Sequence, residues 1–185
     1  MSEPISPDSK DTLDQRIQGV VEILTESNYR LSRSRQDYFA KFTGFVQEDP
    51  ARISKVVKFL RQSHPNTPLV SLDLACGDGA WTLIAAAAGF PSYGIDANGY
   101  LINKARKNHE RAVKNGFIEP ETVCKFAAGN IYTGDYIDDF ARLADDNTKE
   151  HMPTRNFGKP YDELGITVGD ADIIYSWQWG VQMPF

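Results

Sequence analysis

Val70-Ser71-Leu72-Asp73-Leu74-Ala75-Cys76-Gly77-Asp78-Gly79-Ala80-Trp81-Thr82 is the stretch on which the fold of this chain turns. A short apolar run that meets two glycines and continues into a helix-forming segment predicts a strand, a tight turn and a helix start. Gly77 and Gly79 have no side chain, so the backbone there tolerates positive φ and a ligand can approach it closely. A lone Gly-x-Gly is weak evidence of a site, and its surroundings decide what it means.

Working outward, Pro68 ends a punctuated segment, His64-Pro65-Asn66-Thr67-Pro68, where helical period gives way to short apolar runs. After it the pattern predicts a strand from Leu69 to Leu74, a helix from Ala80 to Ala88, a strand from Ser92 to Ile95, a helix from Tyr100 to Asn115 and a strand from Val123 to Ala128. Such βαβαβ alternation defines an α/β, Rossmann-like, doubly wound and mainly parallel sheet, with its ligand at the C-terminal strand ends. The alanines from 85 to 88, closed by Gly89, let the first helix lie close to the sheet. Beyond Asn130 a helix is expected from Tyr136 to Ala144, a long acidic loop over 145–170 and a last strand from Ala171 to Trp177. Before Pro68, residues 12–66 form a helical preface: Leu13, Ile17, Val20, Val21 and Leu24 recur at helical spacing, Arg33 to Val46 follows, and Pro50 to Gln62 starts with Asp49 as N-cap. Residues 1–11 are expected to be a disordered leader, and 67–185 the ligand-binding domain.

Two further features give the turn its chemistry. Asp73 precedes it, and Asp96 ends the second strand about 20 residues later, where a carboxylate can accept hydrogen bonds from both hydroxyls of a ribose. A dinucleotide site usually has a third glycine three residues after the second, and Thr82 stands there instead. A carboxylate at Asp73 would also repel a diphosphate, whereas it can receive an ammonium. The expectation is a nucleoside cofactor without a pyrophosphate, with a variant dinucleotide site as the alternative.

These residues resemble the class I, Rossmann-like S-adenosylmethionine-dependent methyltransferases over roughly residues 69–180. The family's first motif is similar to Leu72-Asp73-Leu74-Ala75-Cys76-Gly77-Asp78-Gly79, its second to Tyr93-Gly94-Ile95-Asp96-Ala97, its third to Ala128-Gly129-Asn130-Ile131, and its fourth strand to Ala171-Asp172-Ile173-Ile174-Tyr175-Ser176-Trp177. The resemblance implies a cofactor set of Asp73, Ala75, Cys76, Gly77, Gly79, Asp96, Ala97, Asn130, Ile131 and Trp177. In that set Asp96 holds the ribose, Asn130 contacts the adenine amino group and Ile131 flanks the ring. Ala75 replaces a glycine frequent in the motif, and Asn130 stands where Asp is commoner; alanine is small, and the amide oxygen still accepts a hydrogen bond.

The resemblance also implies methyl transfer from S-adenosylmethionine, leaving S-adenosylhomocysteine. Direct displacement at a carbon activated by sulfonium needs alignment and exclusion of water more than an obligatory base. Ser176, Trp177 and Gln178 are the candidate catalytic residues, and Trp179 joins them as a wall of the methyl site. Indoles attract a sulfonium by about 0.5 to 2 kcal/mol each; Trp177 and Trp179 are equally consistent with the core of an end strand. Family domains have seven strands in the order 3-2-1-4-5-7-6, and this sequence ends just past the fourth. A fragment, or a homodimer completing its sheet across the strand-four edge, is therefore expected.

Composition narrows the classes. The 185 residues are 41% hydrophobic and 24% charged, which excludes wholesale disorder and a disulfide miniprotein. Net charge is −5, with 10 basic against 9 acidic residues up to position 62, so the acidic excess lies beyond it. That balance disfavours a polyphosphate surface, and the Asn/Asp-Pro-Pro-Tyr/Phe signature of amino-methylating DNA enzymes is absent. The expected partner is an unidentified methyl acceptor, a small molecule before a nucleic acid. A non-catalytic module that binds the same cofactor, or a nucleotide-dependent oxidoreductase, are the alternative functions. Two cysteines fit reduced thiols, and no metal-ligand spacing or membrane span is visible, so a cytoplasmic protein is expected. Cys76 is expected to be a buried turn residue rather than a nucleophile. Trp81 is expected to staple its helix or to touch ligand, and His64, His109 and His151 to sit on loops or a solvated helix face. Tyr29, Tyr38 and Phe39 could make the preface a lid, and Arg30, Arg33 and Arg35 a substrate-facing or merely solvated patch.

Overall fold

Four strands, all parallel, form the sheet of the computed structural model, which describes residues 12–27, 49–131 and 159–176. In chain order the elements are helix α1 (13–27), α2 (Pro50–Ser63), β1 (Ser71–Leu74), α3 (Ala80–Ala87), β2 (Ser92–Asp96), α4 (Gly99–Lys114), β3 (Cys124–Ala128), α5 (Pro160–Leu164), a 3-10 turn (Val168–Asp170) and β4 (Ile173–Ser176). The strand order is β3-β2-β1-β4, the expected Rossmann-like arrangement. The expected leader, the helix from Arg33 to Val46 and that from Tyr136 to Ala144 lie outside the described residues.

Residue chemistry explains the layering. Side chains alternate across a strand, and in β1 the two faces differ sharply. Ser71 and Asp73 face the helical layer with Ser92 and Gly94 of β2, Cys124 and Phe126 of β3, and Ile173 and Tyr175 of β4. The small side chains of β1 and β2 leave room for α3, whose eight residues are all buried. A Cβ on Gly94 would lie 2.8 Å from Thr82 Oγ1 and 2.9 Å from both Cys76 Sγ and Phe126 Cδ1, so only glycine lets α3 approach. The buried polar atoms here are paired, as burial demands: Trp81 Nε1–H donates to Ser71 Oγ at 2.8 Å, Thr82 Oγ1–H to Asp73 Oδ2 at 2.9 Å, and Ser92 Oγ–H to the Phe90 carbonyl at 2.8 Å.

Helices α1 and α2 extend this core with Ile17, Val20, Leu24, Ile53 and Val57. The described part of the preface packs into the core, and Tyr29, Tyr38, Phe39 and the three arginines of the expected patch lie outside the described residues. Asp49 caps α2 as expected, accepting the Ala51 N–H at 2.9 Å ahead of Pro50. On the opposite sheet face, Leu72, Ile95 and Ala127 pack with Leu164 and Ile166, so helices flank both faces.

Several boundaries differ from expectation for local reasons. β1 starts at Ser71, not Leu69, because the Val70 N–H is taken by Asp172 Oδ2 at 2.8 Å and its carbonyl by the N–H groups of Asp172 and Ile173. β2 runs to Asp96, and α4 begins at Gly99 because Asn98 caps it, its Oδ1 accepting the Tyr100 N–H at 3.0 Å. β3 opens one residue late, at Cys124, and β4 opens at Ile173 rather than Ala171 because Ala171 still bonds back to Val168. The expected loop over 145–170 is corrected at its end: α5 and the 3-10 turn occupy it, the first closed by Gly165 at φ 69° and the second by reciprocal bonds between Thr167 and Asp170. Five helical residues are too few to show periodicity.

Candidate functional site

Strand register brings the sequence motifs to one rim. Leu74 stands beside Ile95 and Ser176, and Asp96 beside Ala128, so all four strands reach their C-terminal ends together. The order β3-β2-β1-β4 reverses direction between β1 and β4. In open α/β sheets the crevice outside the strand ends at such a switch point is where ligands bind.

The turn after β1 is wound tightly through left-handed backbone, with Ala75 exposed and Cys76 to Gly79 buried. Ala75, Gly77 and Gly79 all have positive φ, at 65°, 56° and 85°. The Cys76 N–H donates to the Ile95 carbonyl at 2.9 Å and the Gly79 N–H to the Cys76 carbonyl at 2.8 Å, which fixes the turn against β2. A Cβ on Gly79 would meet the Phe126 ring at 2.9 Å and Ala105 Cβ at 3.0 Å, so glycine there also seats α3 against α4 and β3.

Asp96 sits half-buried at the end of β2, directly against this turn. Its Oδ2 accepts the Gly77 N–H at 2.9 Å and its Oδ1 the Asn98 N–H at 2.7 Å. Burial raises its carboxyl above the usual carboxylate range, the two backbone N–H groups pull it down, and nearby Asp78 pushes it up again. A carboxylate oxygen accepts more than one hydrogen bond, so Asp96 can hold the turn and still take two hydroxyls. Ala97 and Ala75 are exposed beside it.

Asp73 is placed differently from the rim residues. It is 2% exposed beneath the turn, where its Oδ2 receives the Thr82 hydroxyl. Thr82 therefore ties α3 to β1 from the position a third glycine would occupy. Burial, reinforced by Asp73, Asp96 and Asp78, raises the Cys76 thiol well above the ordinary cysteine value. A protonated, buried thiol is a packing group, as expected.

The sequence reading missed one charged pair. Asp78 lies between the two glycines, 3% exposed, and its Oδ2 is 2.9 Å from Lys104 Nζ on α4, itself 12% exposed. Breaking such a buried pair costs about 3–5 kcal/mol because the other charge is left uncompensated. The available signal was the position of Lys104 beside the inward-facing Leu101 and Ala105 of α4; Asp78 looked like filler between glycines.

At the third motif, the Gly129 N–H donates to the Asp96 carbonyl at 3.0 Å, which brings buried Asn130 to the rim. Ile131 joins the opposite-face cluster, and its carbonyl receives the Tyr161 hydroxyl from α5 at 2.6 Å. Ser176 ends β4, its Oγ buried and without a hydrogen-bond partner among the described residues. Trp177, Gln178 and Trp179 lie outside the described residues. Trp81 is a core residue, buried and stacked on Tyr175 of β4 at 4.0 Å between ring centroids. His109 departs from the expected solvated face: it is half-buried near the Phe126 ring, and burial lowers its imidazole below the ordinary value, with Glu110 opposing. Among the described residues there is no metal-binding cluster, and no helix is long and apolar enough to cross a membrane.

No family model matches the chain, and no curated protein does. Solved structures do. A magnesium protoporphyrin IX methyltransferase from Synechocystis PCC 6803 with bound S-adenosylhomocysteine aligns at 16% identity over 62% of this chain and 52% of its own, with a TM-score of 0.39. A SAM-dependent methyltransferase from Agrobacterium tumefaciens aligns at 23% identity over 51% of this chain and 26% of its own, with a TM-score of 0.34. A tRNA (uracil-54, C5)-methyltransferase from Pyrococcus abyssi in complex with S-adenosyl-L-homocysteine aligns at 23% over 46% of this chain and 19% of its own, with a TM-score of 0.33. The chain thus spans between about a fifth and a half of the length of these structures.

Proposed function

We propose that this chain binds S-adenosylmethionine at the β1/β4 rim and serves as a methyltransferase of the class I type, or as the cofactor-binding part of one. The observation that carries the proposal is Asp96, a carboxylate at the end of β2 that touches the glycine turn through the Gly77 N–H and has acceptor capacity left for a ribose. Ala75, Gly77, Gly79 and Ala97 would frame the ligand without side-chain obstruction, and Asn130 and Ile131 would meet its base. A pyrophosphate is disfavoured: Thr82 fills the third-glycine position, and Asp96 brings negative charge to the turn.

The bound cofactor supplies a sulfonium methyl group. The chain's own share is to hold the adenosyl part and to wall the methyl site, for which Ser176 at the end of β4 and the following Trp177 and Gln178 are the candidates. A small-molecule acceptor is favoured over a nucleic acid by the net charge of −5.

Calorimetric titration with S-adenosylmethionine and S-adenosylhomocysteine tests the cofactor. Saturable binding of both is expected, with none for NADH. Asp96→Ala, confirmed folded by circular dichroism, should lose about 10- to 100-fold in affinity, the value of hydrogen bonds to a charged acceptor. Absence of binding by the unmodified chain would sink the proposal, and labelled-methyl turnover with candidate acceptors separates a transferase from a binding module.

A further inference from the structure

The glycine turn is held from two sides, and only one of them belongs to the expected ligand set. On the β2 side Asp96 accepts the Gly77 N–H. On the α4 side Lys104 pairs with Asp78, the residue between Gly77 and Gly79, both of which have positive φ. Among the described residues no side chain caps the start of α3 at Gly79, and the ion pair is a side-chain link from α4 to the turn immediately before that helix. Asp78 also faces like charge: Asp96 approaches from β2, and on its own turn Cys76 lies within the field of Asp73, Asp78 and Asp96. Lys104 thus brings positive charge to the carboxylate that the turn itself carries.

We propose that Lys104 is a positioning residue for the adenosyl site, its ammonium holding the Gly77–Gly79 turn in ligand-binding form through Asp78. The inference rests on the function proposed above. Lys104 need not touch ligand. It counters the repulsion that would drive Asp78 away from Asp96, and so keeps the Gly77 N–H on the Asp96 carboxylate and the turn backbone facing the rim. Without it, a carboxylate that is almost fully enclosed loses the cation that balances it, and the turn relaxes toward solvent.

The test compares the unmodified chain with Lys104→Met, Lys104→Arg and Asp78→Asn. Affinity for S-adenosylhomocysteine is measured by calorimetry well below each melting temperature, and maleimide labelling of Cys76 and Cys124 is followed by peptide mapping. Lys104→Met and Asp78→Asn should each weaken binding about tenfold or more and accelerate labelling of Cys76 but not of Cys124, which lies in β3 away from the turn. Lys104→Arg, which keeps the charge, should bind within about threefold of the unmodified chain. Lower melting temperatures with unchanged affinity and unchanged Cys76 labelling would overturn the proposal, because the pair would then be only a fold-stabilising contact. If Lys104→Met does not fold, the affinity and Cys76 labelling of Asp78→Asn decide between the two outcomes. If the unmodified chain binds no S-adenosylhomocysteine, the function proposed above fails, and Cys76 labelling still decides whether the pair holds the turn.

Discussion

Ala75 is, among the described residues, the non-glycine with positive φ, at 65°, and it stands exposed where the resembled motif often has glycine. The left-handed conformation costs a Cβ-bearing residue about 1–2 kcal/mol, whereas glycine pays only the extra entropy of its unfolded chain, about 0.5–1 kcal/mol. Ala75→Gly should therefore raise stability by about 0.5–1 kcal/mol, read as a shift in the urea midpoint at unchanged slope. At this scale the sequence was legible where glycine and acid coincide with a strand end: Gly77, Gly79 and Asp96 all stand at the rim. It was illegible where one side chain acts through another. Asp73 lies under the turn with Thr82, a placement the motif does not spell out, and the Lys104–Asp78 pair joins residues whose proximity only the packing of α4 creates.

At the scale of elements, the seat of α3 depends on what the strands omit. Ser71, Ser92 and Gly94 leave the inner face of β1 and β2 shallow, and Gly94 has three neighbours within 3 Å of the place a methyl would fill. Gly94→Ala should destabilise the fold by about 1–3 kcal/mol, the usual cost of overpacking, and a melting curve would show it. An unchanged melting temperature would mean that Thr82 and Phe126 yield more readily than their burial implies. The βαβαβ segment was legible because its helices are long enough to show period and its strands end at glycine or an acid. α5 was not, since a five-residue helix is recognised by what encloses it: Pro160 against Gly129, the Tyr161 hydroxyl on the Ile131 carbonyl, and Gly165 closing it.

For the whole molecule, both sheet faces are covered, but unequally among the described residues. Four helices contribute to the core on one face, while α5 and its neighbours cover the other and leave Ile174 of β4 51% exposed. The parallel sheet was implied by the alternation of elements and its strand order by the family resemblance; the register and the start of β4 were not, because the ladder of β4 is set by its partner β1. That partnership is also the most distant in the sheet. Ser71 pairs with Ser92 through a short crossover, whereas the bond from Val70 to Asp172 spans 102 residues. Closing a loop about five times longer costs roughly 1.4 kcal/mol more in chain entropy, so β1, β2 and β3 should associate first and β4 afterwards. Ile173→Ala in β4 should then chiefly speed unfolding, while Leu72→Ala in β1 slows refolding, a difference visible in the two limbs of a chevron plot. Equal effects of both substitutions on refolding would contradict this order. The ends of β1 and β4 come together only in this pairing, so a ligand held at their rim, as proposed, would find a complete site only on chains in which β4 has docked, and ligand added during refolding should capture those alone.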